Sequence, residues 1–97
     1  MPTDLHFICK HGLNHEHLEG NAFETGEWVV SEQVADEAVG GRIYLHERQN
    51  DPAWHGGTIT AWRTEEDDRK VFSYVVDGPF RVRCTENWGR EKAIIRR

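Results

Sequence analysis

Apolar and polar residues alternate along most of this chain, and a helical period interrupts the alternation once. Leu5, Phe7 and Cys9 alternate with His6 and Ile8, the period-two mark of a strand. From Lys10 to Gly26 the pattern dissolves. Three glycines and two asparagines predict a long loop there, with one helical turn around Glu16 to Leu18 and a brief extended segment from Glu27 to Val30. Ser31 is then a good N-cap, and Glu32 and Gln33 fill a first turn whose dipole favours acid. Val34, Ala35, Ala38 and Val39 recur at helical spacing, and Gly40-Gly41 ends the element. A helix of about ten residues does not persist alone, so its apolar stripe must dock on a sheet.

Strands follow. In Arg42–Glu47, Ile43 and Leu45 oppose Tyr44 and His46. Asp51-Pro52 and Gly56-Gly57 punctuate a turn-rich connection to a strand at Thr58–Arg63. A charged hairpin loop, TEEDDRK, leads to Val71–Val76, apolar on both faces and therefore read as central. After the turn Asp77-Gly78-Pro79, Phe80, Val82 and Cys84 alternate cleanly with Arg81 and Arg83, predicting another strand. The segment ENWGREK is a last turn, and Ala93–Ile95 a closing strand. The pattern predicts one α+β, mostly β domain over residues 1–97, with five to seven short strands and one or two short helices. Short strands escape exposed edges by curling, so the expected architecture is a small antiparallel or mixed β-barrel.

Composition narrows the functional classes. Apolar residues make up 37% of the 97 and charged residues 30%, which implies a small core and a well-solvated surface. Four Trp, four Phe and two Tyr keep the chain out of the disordered class. No apolar run approaches the roughly 20 residues that span a bilayer, and the start MPTDLHF lacks a signal-peptide pattern. Two cysteines do not make a disulfide framework. The expectation is a soluble cytoplasmic protein with reduced thiols and no membrane partner. The net charge of −5 is uneven: residues 78–97 carry six basic side chains against two acidic ones, leaving the rest strongly acidic. Such asymmetry can set one basic face on an acidic body.

From Phe23 to Val76 the order of strand, Trp28, the helix SEQVADEAV, the glycine-entered strand GGRIYLH and the GGTI strand resembles the PUA-like superfamily, which includes the PUA, ASCH, EVE and YTH domains. The tail FRVRCTENWGREKAIIR is compatible with a closing hairpin. The resemblance implies binding of RNA or DNA, including recognition of a modified base, and in some members nucleotide-directed catalysis.

The residues offer a matching set of groups. Trp28, Tyr44, Trp54, Trp62 and Trp88 are candidate stacking surfaces, and each stacked base contributes about 1–3 kcal/mol. His46 is a candidate hydrogen-bonding group, and Arg81 and Arg83 are spaced to meet phosphates. Cys9, His11, His15 and His17 carry zinc-ligand chemistry, but their spacing matches no zinc motif, so no metal and no cofactor is expected. Lys10, Thr25, Glu27 and Glu47 are of the types an ASCH-like hydrolase acting on a modified nucleoside or RNA uses, without a motif that gathers them. A third class is an acidic module that covers a basic patch on a protein partner. The leading expectation is a nucleic-acid-binding module.

Overall fold

The alternations place seven strands and one helix in a computed structural model that describes residues 3–9, 15–65, 69–78, 81–84, 88–89 and 92–96. In chain order they are β1 (Thr3–Ile8), β2 (His15–Glu19), β3 (Ala22–Trp28), α1 (Glu32–Ala38), β4 (Arg42–His46), β5 (His55–Thr64), β6 (Lys70–Val75) and β7 (Lys92–Arg96). They form one mixed sheet in the order β2-β3-β6-β5-β4-β1-β7. Only β1 and β4 pair in parallel; the other neighbours are antiparallel.

The helix docks as its stripe predicts. The Ser31 hydroxyl caps it by accepting from the Val34 N–H at 3.2 Å, and Val34, Ala35 and Ala38 are buried. It spans seven residues rather than about ten, because the chain leaves helical geometry at Val39 and turns through Gly40 at φ +89°. The Gly40 N–H donates to the Ile59 carbonyl, and the Ile59 N–H to the Gly41 carbonyl, both at 2.9 Å. These bonds fix the helix end to β5. Beneath it lie Leu5, Phe7, Ile43, Leu45, Ile59 and Phe72, with Trp28 stacked flat on Phe7 at 4.3 Å.

Three sequence expectations fail for identifiable reasons. The stretch read as a loop with a helical turn near Glu16 is largely the hairpin β2–β3, closed by the two-residue turn Gly20-Asn21 with Gly20 at φ +58°. Its strands hide from a periodicity search because HEHLE carries one apolar residue, Leu18, and that one is exposed, so no alternation marks it. Residues 81–84, read from their alternation as strand, are in no strand: they lie over the sheet, with Cys84 buried and Arg81 and Arg83 exposed. The alternation is that of a strap. The barrel is also not seen: β2 and β7 are the two edges of an open sheet, with no pairing between them among the described residues. Both edges carry charge, Glu16 and Glu19 on β2, Lys92 and Arg96 on β7, which discourages edge-to-edge pairing without closure.

Cys9 and Cys84 are both buried and unbridged. No helix among the described residues is long and apolar enough to cross a membrane.

β5 and β6 approach so closely at Gly57 that a Cβ there would fall on the Val75 carbonyl oxygen, whereas Gly20 faces open space. Gly57→Ala is therefore expected to lower stability by at least about 2 kcal/mol in urea unfolding, because backbone must move. Gly20→Ala carries only the left-handed penalty of about 1 kcal/mol.

Candidate functional site

The register of β1 against β4 sorts their side chains into two opposed sets. Leu5, Phe7, Ile43 and Leu45 face the helix-side core. Period two then sends Asp4, His6, Tyr44 and His46 to the other face, where all four are at most 7% exposed. A buried polar layer of this kind needs a cover. The strap supplies it: the Ala53 N–H donates to the Val82 carbonyl at 3.0 Å, and the Arg83 guanidinium to the Asn50 carbonyl at 3.1 Å. Trp88 completes it, with its indole N–H on the Cys84 carbonyl at 2.6 Å and its backbone bridged to Ala93 of β7. Between strap and sheet remains a depression of about 240 Å³, with Asp4, His6 and Tyr44 on the sheet side and Val82, Arg83 and Cys84 on the strap side.

His6, which lines this depression, is joined to a second imidazole: His6 Nδ1 lies 2.8 Å from His46 Nε2. The other nitrogen of His46, Nδ1, lies 2.9 Å from the Asp51 carbonyl oxygen. A carbonyl only accepts, so the proton of His46 is on Nδ1 and its Nε2 is a lone pair. His6 must then donate from Nδ1, which leaves its own Nε2 as an acceptor. That nitrogen has no hydrogen-bond partner among the described residues. The rings are held sideways as well. His6 stacks on Tyr44 at 4.7 Å, and Trp88 meets His6 and His46 edge-to-face at 6.2 and 5.3 Å.

Burial sets the charge state. It lowers the pKa of His6 to about 4, aided by the neighbouring His46 and opposed by Asp4. Burial also lowers that of His46, opposed by the Asp51 carbonyl and carboxylate. Both rings are neutral at pH 7, consistent with the single proton each donates. The Asp4 carboxylate accepts the Arg42 backbone N–H at 2.9 Å and so is fixed at the pocket's side.

Of the residues singled out in the sequence, the structure brings together Tyr44, His46, Arg83 and Trp88. It disperses the others. Trp28 belongs to the helix-side core, its indole N–H on the Thr25 hydroxyl at 3.3 Å. Trp54 donates to the Cys9 carbonyl at 2.6 Å beside His55. Trp62 donates to the Asp36 carboxylate at 3.0 Å, with the Lys70 ammonium 5.8 Å from its ring centroid. Arg81 is exposed on the strap but does not line the depression. Asp4, His6, Cys84 and Asp51 were missed. The signal for His6 was its even position in a strand, which sequence alone equates with solvent exposure.

Among the described residues, the members of the metal and hydrolase sets are not gathered into one site. His11 and Lys10 lie outside the described residues, as do the side chains of His15 and Glu27. Exposed His17 donates to the Gly20 carbonyl at 2.8 Å. Burial pushes the Cys9 thiol up to about 11, which keeps it protonated and a poor ligand. Among the described residues no group of three or more His, Cys, Asp or Glu side chains is placed to hold a metal ion. Thr25 is buried away from the pocket, and Glu47 is exposed. Comparison with protein families, with curated proteins and with solved structures gives no match to this chain.

A histidine whose folded pKa lies below its unfolded value stabilises the fold fully above the unfolded value, and that stability is lost as pH falls. For His6 the window runs from 6.5 down to about 4. Relative to His6→Gln, the native chain is expected to lose on the order of 3 kcal/mol of unfolding free energy across it. Urea unfolding of both chains at a series of pH values checks this, and parallel curves contradict it.

Proposed function

We propose that this chain is a nucleic-acid-binding module that takes one base of a single strand into the depression between strap and sheet. The observation that carries the reading is convergence: Tyr44, the His6 imidazole and Arg83 line one opening, and Trp88 packs edge-to-face against the His6 and His46 rings. A volume of about 240 Å³ falls just below the range of about 300–1,000 Å³ common for small-molecule sites, which suits one ring system better than a larger ligand. Arg83 spends one N–H on Asn50 and retains other donors for phosphate. Arg81, two residues away and exposed, extends the same cationic lip.

Recognition is favoured over catalysis by the state of His6. A general base works best with a pKa near the working pH. His6, held near 4, takes up a proton poorly at neutral pH but remains a good acceptor. We also propose kinship with the PUA-like superfamily, supported by α1 leading through Gly40 and Gly41 into β4. In that reading the open sheet is a variant of the family's barrel.

The acidic body confines any phosphate contact to the lip, so few charges take part. Two contacts to a single strand give a slope of log K against log salt of about −1.4. Fluorescence anisotropy with short single-stranded DNA and RNA, from low to physiological salt, is expected to show this slope. Arg83→Ala should weaken binding several-fold and reduce the slope by about 0.7. Absence of binding at low salt, or binding indifferent to salt and to Arg83→Ala, contradicts the proposal.

A further inference from the structure

What His6 offers to the depression is fixed by a residue that does not line it. His46 donates from Nδ1 to the Asp51 carbonyl, which leaves its Nε2 to accept, and His6 donates to that atom from Nδ1. His6 therefore keeps a lone pair on Nε2. Its side chain is 4% exposed and lines the depression. Nε2 is not among the side-chain atoms sealed from solvent without a partner, so it opens there. The Tyr44 ring stacked on His6 and the edge of Trp88 hold its plane. The Asp4 carboxylate at the side is engaged by the Arg42 N–H and elsewhere, and no vacancy on it is required.

We infer that His6 reads the pairing edge of the bound base, admitting an edge that presents an N–H and refusing one whose N–H is replaced by N-methyl, and that His46 is the positioning residue that sets this preference through His6. This rests on the reading of the depression as a base pocket and adds which edge enters and what it must carry. Every common base has an N–H donor on the edge it uses in pairing, so the preference is not for one base. It is for a base that is unpaired and unmethylated at that edge. A complementary strand occupies those hydrogens, which excludes a duplex. An N-methyl group sets carbon against the His6 lone pair, and a buried acceptor without a donor is strongly destabilising. Discrimination here comes as much from rejection as from attraction.

Thymine and 3-methyluracil isolate the effect, because they are isomers. Thymine carries its methyl on C5 and keeps the ring N–H; 3-methyluracil carries its methyl on N3 and has no N–H. Each is placed at the centre of a short strand that is otherwise abasic, and binding is read by fluorescence anisotropy. The full chain is expected to bind the thymine strand about tenfold more tightly. His6→Phe keeps an aromatic ring beside Tyr44 but removes the acceptor, and should bring the ratio close to one. His46→Leu frees His6 to carry its proton on either nitrogen and should lower the ratio likewise. His46→Gln, whose amide can accept from His6 and donate to Asp51, should keep it. Equal binding of the two strands by the native chain, or preference for 3-methyluracil, overturns the inference while leaving a base pocket intact. A ratio unchanged in folded His6→Phe means that size alone excludes the methyl group, and overturns the role of His6. A ratio unchanged in folded His46→Leu, or lost in His46→Gln, overturns the role of His46. Should one variant not fold, the other two decide. Failure of both strands to bind removes the pocket reading itself, and this inference with it.

Discussion

The hydrogen bond between His6 and His46 is the constraint on which the second face of this sheet depends. Two imidazoles buried side by side cannot both keep an unmatched N–H or lone pair on the inner side without a penalty of about 1–3 kcal/mol each. The Asp51 carbonyl resolves this by accepting from His46, which requires the β4–β5 connection to fold back over the strand end. That same connection then holds the strap, through the Asn50 carbonyl and the Ala53 N–H. Histidine pairing, loop conformation and strap position are thus one linked arrangement. A change at any of them is felt at the others.

The parallel pair β1–β4 makes this possible. It lies inside the sheet, with β5 and β7 as outer neighbours, so both of its faces are covered. One face carries aliphatic and aromatic residues beneath α1, where Trp28 against Phe7 fills the core. The other carries polar and aromatic residues beneath the strap. Such a polar layer is unusual for parallel strands, which commonly read as continuous apolar runs. Here Asp4, His6, Tyr44 and His46 stand at alternate positions on that face, and what those groups bind to is the basis of the functional reading.

Much of the scaffold was legible in the sequence. Ser31, the stripe Val34-Ala35-Ala38 and Gly40 carry enough local chemistry to place the helix, and the alternations of β1, β4 and β6 mark strands close to their observed bounds; β5 starts at His55, three residues before its alternation, because Gly56 and Gly57 pair with β4 rather than turn. The edge strand β2 was not, because a strand paired on one side and solvated needs no apolar alternation, and its single apolar residue, Leu18, is exposed; Gly20-Asn21 is its hairpin signal. The site was half legible. Tyr44, His46, Arg83 and Trp88 stand out by residue type, but Trp28, Trp54 and Trp62 share that type and serve packing or surface contacts instead. Asp4 and His6 were invisible for the opposite reason: polar residues at alternate strand positions ordinarily face water, and only the strap over them makes them interior.

The central claim is a tautomeric one: His6 is neutral, protonated at Nδ1, and presents a bare Nε2 to the pocket. Long-range proton–nitrogen NMR of the 15N-labelled chain at pH 7 reads this directly. The account predicts pyrrole-type nitrogens at Nδ1 of both His6 and His46 and pyridine-type nitrogens at both Nε2 atoms. A protonated His6 Nε2, as either the other neutral tautomer or the imidazolium, contradicts it.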